Sequence, residues 1–172
     1  MCYNLSVNFI YRSLLWKKIK KEIKYTHKFY RKGMIRMKIA IINENSQVTK
    51  NKIIYDALKP IADKNGYEIY NYGMENPDEE NLTYVQAGLL SAILINSKAV
   101  DFIITGCGTG EGAMLALNSF PNVLCGHIED PTDAYLFSQI NAGNAVALGY
   151  AKGFGWGSEL TLRYIFEKLF EA

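Results

Sequence analysis

A short apolar run, Val100-Asp101-Phe102-Ile103-Ile104-Thr105, ends in four glycines spaced one apart: Gly106, Gly108, Gly110 and Gly112. Cys107 and Thr109 lie between them, and a helical pattern begins directly afterwards. Strand, glycine-rich turn and helix, in that order, aim backbone N–H groups and a positive dipole end at a small anionic or polar ligand. The thiol inside the turn is the group expected to do chemistry, and the other elements must be arranged around it.

The flanking chain alternates strands and helices. Lys38–Asn43 reads as a buried first strand, as apolar runs do in parallel sheets, and Glu44-Asn45-Ser46-Gln47 as a polar turn at its end. Residues 49–64 carry Ile53, Ile54, Ala57, Leu58 and Ile61 at helical spacing, with Pro60 a possible kink and Asn65-Gly66 the stop. A second strand is expected over 67–70, a long apolar helix over 82–98, a third strand over 99–105 and a helix to about Asn118. Residues 122–126 read as a fourth strand, His127 to Pro131 as a turn, 132–141 as a helix and 145–149 as a fifth strand. Ser158 is expected to cap a last helix over 160–170. Such alternation implies right-handed crossovers and an open, doubly wound parallel sheet of about five strands with helices on both faces. Ligands of such folds bind outside the carboxyl ends of the strands. Glu44, Asn45, Cys107, Thr109, Glu129 and Asp130 are therefore expected near one another.

Charge divides the chain at Arg36. Residues 1–36 hold ten Lys or Arg and one acid, Glu22, whereas residues 37–172 hold nine Lys or Arg against sixteen acids, a net of −7. A body that acidic is a poor nucleic-acid binder, because phosphates require clustered cations. Residues 37–172 are read as one domain. The basic segment 1–36 admits three readings: an amphipathic helix for a membrane surface or a partner, a disordered arm, or a translated upstream region. The last is favoured by its Lys/Ile/Tyr/Asn bias and by Arg31-Lys32-Gly33 just before Met34 and Met37. No apolar run reaches the roughly 18 residues that cross a bilayer. Three cysteines (Cys2, Cys107 and Cys125) make no paired framework, which points to a reducing, cytoplasmic compartment. Cys125, inside a strand, reads as structural.

Several of these segments recur together in one known family. Met37-Lys38-Ile39-Ala40-Ile41, the turn from Gly106 to Gly112, Asp130-Pro131, Asn141-Ala142-Gly143-Asn144 through Gly149, and Gly157-Ser158-Glu159-Leu160 stand in its order and spacing. The chain thus resembles the ribose-5-phosphate isomerase B / galactose-6-phosphate isomerase family over essentially all of 37–172. That resemblance implies a Rossmann-like fold, a homodimer or dimer of dimers with sites at the subunit interface, and aldose–ketose interconversion without metal or organic cofactor. It also implies that Cys107 is the base moving a proton between C1 and C2, and that Thr109 and Gly110 hold the enediolate oxygen. Gly108, Gly112, Asn45, Asp130, Asn141 and Lys152 are the substrate-binding candidates, with Glu44 or Glu129 as acid/base partner. The chemistry agrees: a carbon acid needs a tuned base and donors for the developing oxyanion. A thiol among free N–H groups at a helix start is favoured as thiolate, and Glu111 is expected to face away from it or to serve as an acid.

Departures from the family pattern bear on the substrate. Glu44-Asn45 stands where the family commonly has Asp-His, and Glu129 stands where it has a ring-opening histidine. Ser138 and Ala151 occupy positions of phosphate-binding arginines, leaving Lys152 nearby. The chain is similar in this to a divergent branch that includes isomerases of 4-deoxy-5-keto-uronates, open-chain sugars with no ring to open. A sugar phosphate and a 4-deoxy-5-keto-uronate both stay open as substrates. One rival uses the same glycines: Gly108 to Ala113 fits the dinucleotide pattern G-x-G-x-x-A, with Glu129 about twenty residues on as a ribose-binding acid. Against it, the turn follows the third strand rather than the first. A regulator that binds a phosphosugar or a nucleotide without turnover would keep the cradle and lose the base.

Overall fold

The computed structural model describes residues 36–78 and 81–171. The expectation for residues 1–36 therefore falls, apart from Arg36, outside the described residues. Residues 37–171 form one compact unit.

Five strands make a single sheet: β1 (Lys38–Asn43), β2 (Glu68–Asn71), β3 (Phe102–Cys107), β4 (Cys125–Ile128) and β5 (Ala145–Gly149). Their order is β2-β1-β3-β5-β4 and every pair is parallel. The helices are α1 (Asn51–Asn65), α2 (Tyr84–Asn96), α3 (Glu111–Asn118), α4 (Pro131–Leu136) and α5 (Ser158–Leu169). A 3-10 turn over Asn45–Lys50 leads into α1, and one π turn over Phe137–Asn141 follows α4.

Strand alternation divides the core between the two faces of the sheet. Ile39, Ile41, Ile104, Val146 and Leu148 pack with α1 and α5, whereas Ala40, Ile42, Ile103, Ala145 and Ala147 pack with α2 and α3. The central strands are apolar on both faces because helices cover both, as a parallel sheet requires. The order in which strands are added reverses between β1 and β3, with β2 on one side and β5 and β4 on the other, so their carboxyl ends open the crevice where such folds bind ligands. Asn43 lies level with Gly106 across that gap, and Cys107 lies level with Gly149 of β5.

Three local expectations are corrected. Strand β4 starts at Cys125 rather than at residue 122, because Asn122 takes a positive φ of 63° and side chains from elsewhere fix where pairing begins. Asn144 Oδ1 accepts from the Leu124 N–H at 2.8 Å, and the Asn118 amide both donates to and accepts from the Cys125 backbone at 2.9 Å. His127 and Ile128 consequently belong to the strand, not to the turn. Helix α5 begins at Ser158, whose hydroxyl donates to the Gly155 carbonyl instead of capping, and Gly157 in the left-handed region makes the entry. Pro60 lies inside α1, which runs through it as one element from 51 to 65. Helix α2 owes its start to a capping box: the Thr83 hydroxyl accepts from the Gln86 N–H, and the Gln86 side chain accepts from the Thr83 N–H at 2.8 Å. No helix among the described residues is long and apolar enough to cross a membrane.

Candidate active site

Cys107 ends β3 on the face covered by α2 and α3, and only 8% of it is exposed. The Gly110 N–H donates to its Sγ at 3.3 Å. Gly110 has φ 86°, which allows the chain to leave the strand and enter α3 within three residues, and no side chain caps that helix. Two neighbouring glycines hold space open. A Cβ at Gly106 would lie 2.5 Å from the Tyr150 ring, and one at Gly112 would lie 3.4 Å from the Tyr84 ring and 3.7 Å from Cys107 Sγ. Tyr84 therefore borders the thiol from the start of α2.

Tyr150 follows β5 and is wholly buried, with its hydroxyl donating to the Thr105 carbonyl at 3.0 Å. Burial, and then the charges of Cys107 and Glu44, push its phenol above the ordinary value. It stays protonated and serves as a fixed donor beneath the turn.

Thr109 is exposed and reaches toward the other side of the sheet edge. Its carbonyl accepts from Nε2 of His127 at 2.9 Å, so that nitrogen carries the imidazole proton. Beyond it lies a cavity of about 180 Å³, walled by Thr109, His127, Glu129, Lys152, Phe154 and Leu162. Cys107 is not among its walls; the Thr109–Gly110 peptide separates thiol from cavity. At the rim the Lys152 ammonium pairs with Glu129 Oε1 at 2.5 Å. The hydrogen bond from Lys152, reinforced by its charge, holds the Glu129 carboxyl below its ordinary value, and the same contact raises Lys152. Glu111 is exposed, and its charge also acts on Lys152. The Phe154 ring is held between the edge of Tyr150 and the Lys50 ammonium, 4.7 Å from its centroid, whereas Trp156 stands fully in solvent.

The remaining candidates have identifiable local tasks. Glu44 is 2% exposed, and its oxygens accept from the Ser46 N–H at 2.9 Å and the Ser46 hydroxyl at 2.5 Å, starting the 3-10 turn. The Asn45 amide donates to Asn81 Oδ1 at 3.0 Å, tying the β1 loop to the approach to α2. Asp130 caps α4 by accepting from the Thr132 and Asp133 N–H groups. Gly108 presents its carbonyl to the Ala151 and Lys152 N–H groups, locking the thiol turn to the loop after β5. Asn141 does not join this cluster within one chain. It precedes β5, at the amino edge of the sheet, whereas Cys107 is at the carboxyl edge.

Cys107, Thr109, Gly108, Gly110 and Gly112 thus stand together, with Glu129 and Lys152 across the Thr109 peptide. Tyr150 and Tyr84 had no place among the sequence candidates. His127 lies in β4 and shares a strand face with Cys125. Burial pushes the Cys125 thiol up to about 12, in keeping with a structural role. Among the described residues no group of three or more His, Cys, Asp or Glu is placed to hold a metal ion.

The sequence profile of the Ribose/Galactose Isomerase family matches residues 39–161. The chain belongs to that family. A crystal structure of a 4-deoxy-L-threo-5-hexosulose-uronate ketol-isomerase, complexed with a tartrate, is similar to it at 66% identity and a TM-score of 0.78. That match covers 79% of this chain and 64% of the other. A ribose-5-phosphate isomerase from Vibrio parahaemolyticus is similar at 50% identity and a TM-score of 0.78, covering 80% of this chain and 65% of that one. The chain spans less than two thirds of the length of either relative. The type B ribose 5-phosphate isomerase of Trypanosoma brucei, at 22% identity and a TM-score of 0.70, shares the fold. The comparison with curated proteins finds no match. Membership of the Ribose/Galactose Isomerase family agrees with the resemblance drawn from the sequence, including the divergent, uronate-isomerase-like branch. It leaves the dinucleotide reading without support, and Glu129, the acid that reading needs, is engaged with Lys152.

Proposed function

We propose that this chain is a cofactor-free ketol-isomerase acting through an enediolate, with a 4-deoxy-5-keto-uronate as the preferred substrate. The single observation that carries this reading is the thiol of Cys107 held under the Gly110 N–H at the start of α3. In the aldose direction the Cys107 thiolate takes the proton from C2, the electron pair moves into the C1–C2 bond, and charge develops on the C1 oxygen. Backbone N–H groups of the turn and the Thr109 hydroxyl hold that oxygen, where donors aimed in advance are worth most. The proton returns to C1, and the C2 hydroxyl gives up its own to the C1 oxygen, completing a ketose. Glu44 or Glu129 is the acid/base partner that moves the hydroxyl proton. Glu129 suits the base role, since Lys152 favours its ionised form.

Lys152 is the residue proposed to receive the substrate's anionic end. One ammonium, already shared with a carboxylate, suits a single negative charge better than a phosphate dianion, which calls for arginines or a cluster of cations. The 66% identical relative, named as a uronate ketol-isomerase, supports the same choice. A second reading, ribose 5-phosphate, is favoured by the Vibrio parahaemolyticus relative.

A homodimer belongs to this proposal. Val85, Leu89 and Ile93 recur every four residues along α2, each at least half exposed, and Leu115 of α3 is 65% exposed. An apolar stripe of that kind beside Tyr84 would be covered by a second copy, completing the thiol side of the site. A cytoplasmic location is proposed with it. The test is a panel: purified chain with a 4-deoxy-5-keto-uronate, ribose 5-phosphate and galactose 6-phosphate, followed by NMR. Conversion of the uronate at the highest kcat/KM is expected. Turnover of none of the three would return the chain to the binding-protein reading.

A further inference from the structure

The peptide joining Thr109 to Gly110 is engaged at both ends. Its oxygen accepts from His127 Nε2 at 2.9 Å, and its N–H donates to Cys107 Sγ at 3.3 Å. We propose that His127 is a positioning residue that fixes and polarises this one peptide, and through it sets the reactivity of the Cys107 sulfur. The inference rests on the reading of Cys107 as the base.

The flanking carbonyls are held elsewhere: that of Gly108 accepts from Ala151 and Lys152, and that of Gly110 from Met114. Gly110 has the widest conformational freedom of any residue type, it sits at φ 86°, and no side chain caps the helix it opens. A hydrogen bond to the carbonyl oxygen draws electrons toward it and makes the same peptide's N–H a stronger donor. An N–H donor facing sulfur favours the anion over the neutral thiol, because hydrogen bonds to charged groups are the stronger kind. Packing supports the contact: a Cβ at Gly110 would lie 2.8 Å from both Cδ2 and Nε2 of His127, so the imidazole lies directly against the turn. A leucine would fill that space and supply no donor.

His127 also borders the cavity, so turnover alone cannot separate this role from contact with substrate. The reactivity of Cys107 without substrate does. The full chain carrying Cys2→Ser is treated with iodoacetamide across a pH series, and the Cys107 peptide is followed by mass spectrometry. Cys125, with its thiol pushed up to about 12, stays unreacted near neutrality. His127→Leu is expected to slow Cys107 alkylation at neutral pH by about three- to tenfold, the loss of part of one charge-assisted hydrogen bond. His127→Gln, whose amide can donate to the same carbonyl, is expected to restore most of the rate. Equal rates in His127→Leu and the parent, or a Gln variant no better than Leu, would overturn the proposal. Should the Leu variant not fold, nitrogen NMR of His127 in the parent decides: protonation at Nε2 is expected, and the Nδ1 tautomer would overturn it. Because no substrate is used, failure of every sugar to react would contradict the isomerase reading without changing what alkylation says about His127.

Discussion

The Gly110 N–H points at Cys107 Sγ from 3.3 Å, across a turn in which the two residues are three apart. That short link makes the end of β3 and the start of α3 one chemical unit. The strand supplies the thiol and the helix start supplies the donor, and Gly110 is the only residue type that fits between them without strain. The other features of the site are arranged around this unit: Tyr150 below it, Tyr84 beside it, and His127 on the far side of the same peptide.

Gly110→Ala tests whether the turn tolerates a side chain. The substitution forces an L residue into the left-handed region and sets a methyl 2.8 Å from the His127 ring and 2.9 Å from the Leu148 backbone. A loss of about 2–4 kcal/mol is expected from the two effects together. Urea denaturation checks it; an unchanged midpoint would show that the turn can relax.

Glu44 can be separated into a structural and a chemical role. Glu44→Ala removes the cap and leaves the Ser46 N–H without its partner, at an expected cost of about 1–2 kcal/mol. Glu44→Gln keeps an acceptor oxygen and should lose less. If Glu44 is the acid/base partner, the Gln variant nevertheless loses turnover by at least tenfold. Full turnover in the Gln variant assigns the role to Glu129.

Lys152→Met should act on binding rather than on stability. The Lys152–Glu129 pair is more than half exposed on both sides, and exposed pairs contribute little to folding. An unchanged melting temperature is expected, with KM for an anionic sugar raised several-fold. Equal KM values in variant and parent would remove Lys152 from the substrate site.

The buried Cys125 gives an alkaline signature. Its folded-state value is raised from about 9 to about 12, so the neutral thiol is preferred in the native state. Below about pH 9 both states are protonated and the contribution is fully present. As pH rises through 9 the unfolded chain releases its proton first, and stability falls toward pH 12 at up to about 1.4 kcal/mol per pH unit. Urea midpoints between pH 8 and 11 should fall less steeply in Cys125→Ala than in the parent; parallel slopes would mean that Cys125 is not the group responsible.

The sheet was readable from sequence because each central strand is a continuous apolar run and each helix a periodic one. The glycine turn was readable because so few backbone paths leave a strand and enter a helix within three residues. The start of β4 was not, since Asn118 and Asn144 set it from seven and twenty residues away. Misplacing that strand put His127 in a turn, whereas it is a strand residue whose partner is a backbone oxygen on a different strand's loop. The tasks of Glu44 and Asp130 were hidden for another reason: a carboxylate after a strand reads the same whether it meets substrate or caps the next helix. Asn141 fitted a family spacing, but topology sets it at the opposite edge of the sheet.

In the proposed reaction Cys107 moves the proton. The most direct measurement is the rate of aldose–ketose conversion of a 4-deoxy-5-keto-uronate by the parent and by Cys107→Ser, recorded side by side by NMR, with binding followed by calorimetry. Cys107→Ser is expected to bind the sugar with similar affinity and to convert it at least about a hundredfold more slowly, the scale of a lost general base. Conversion by the serine variant at the parent's rate would contradict it.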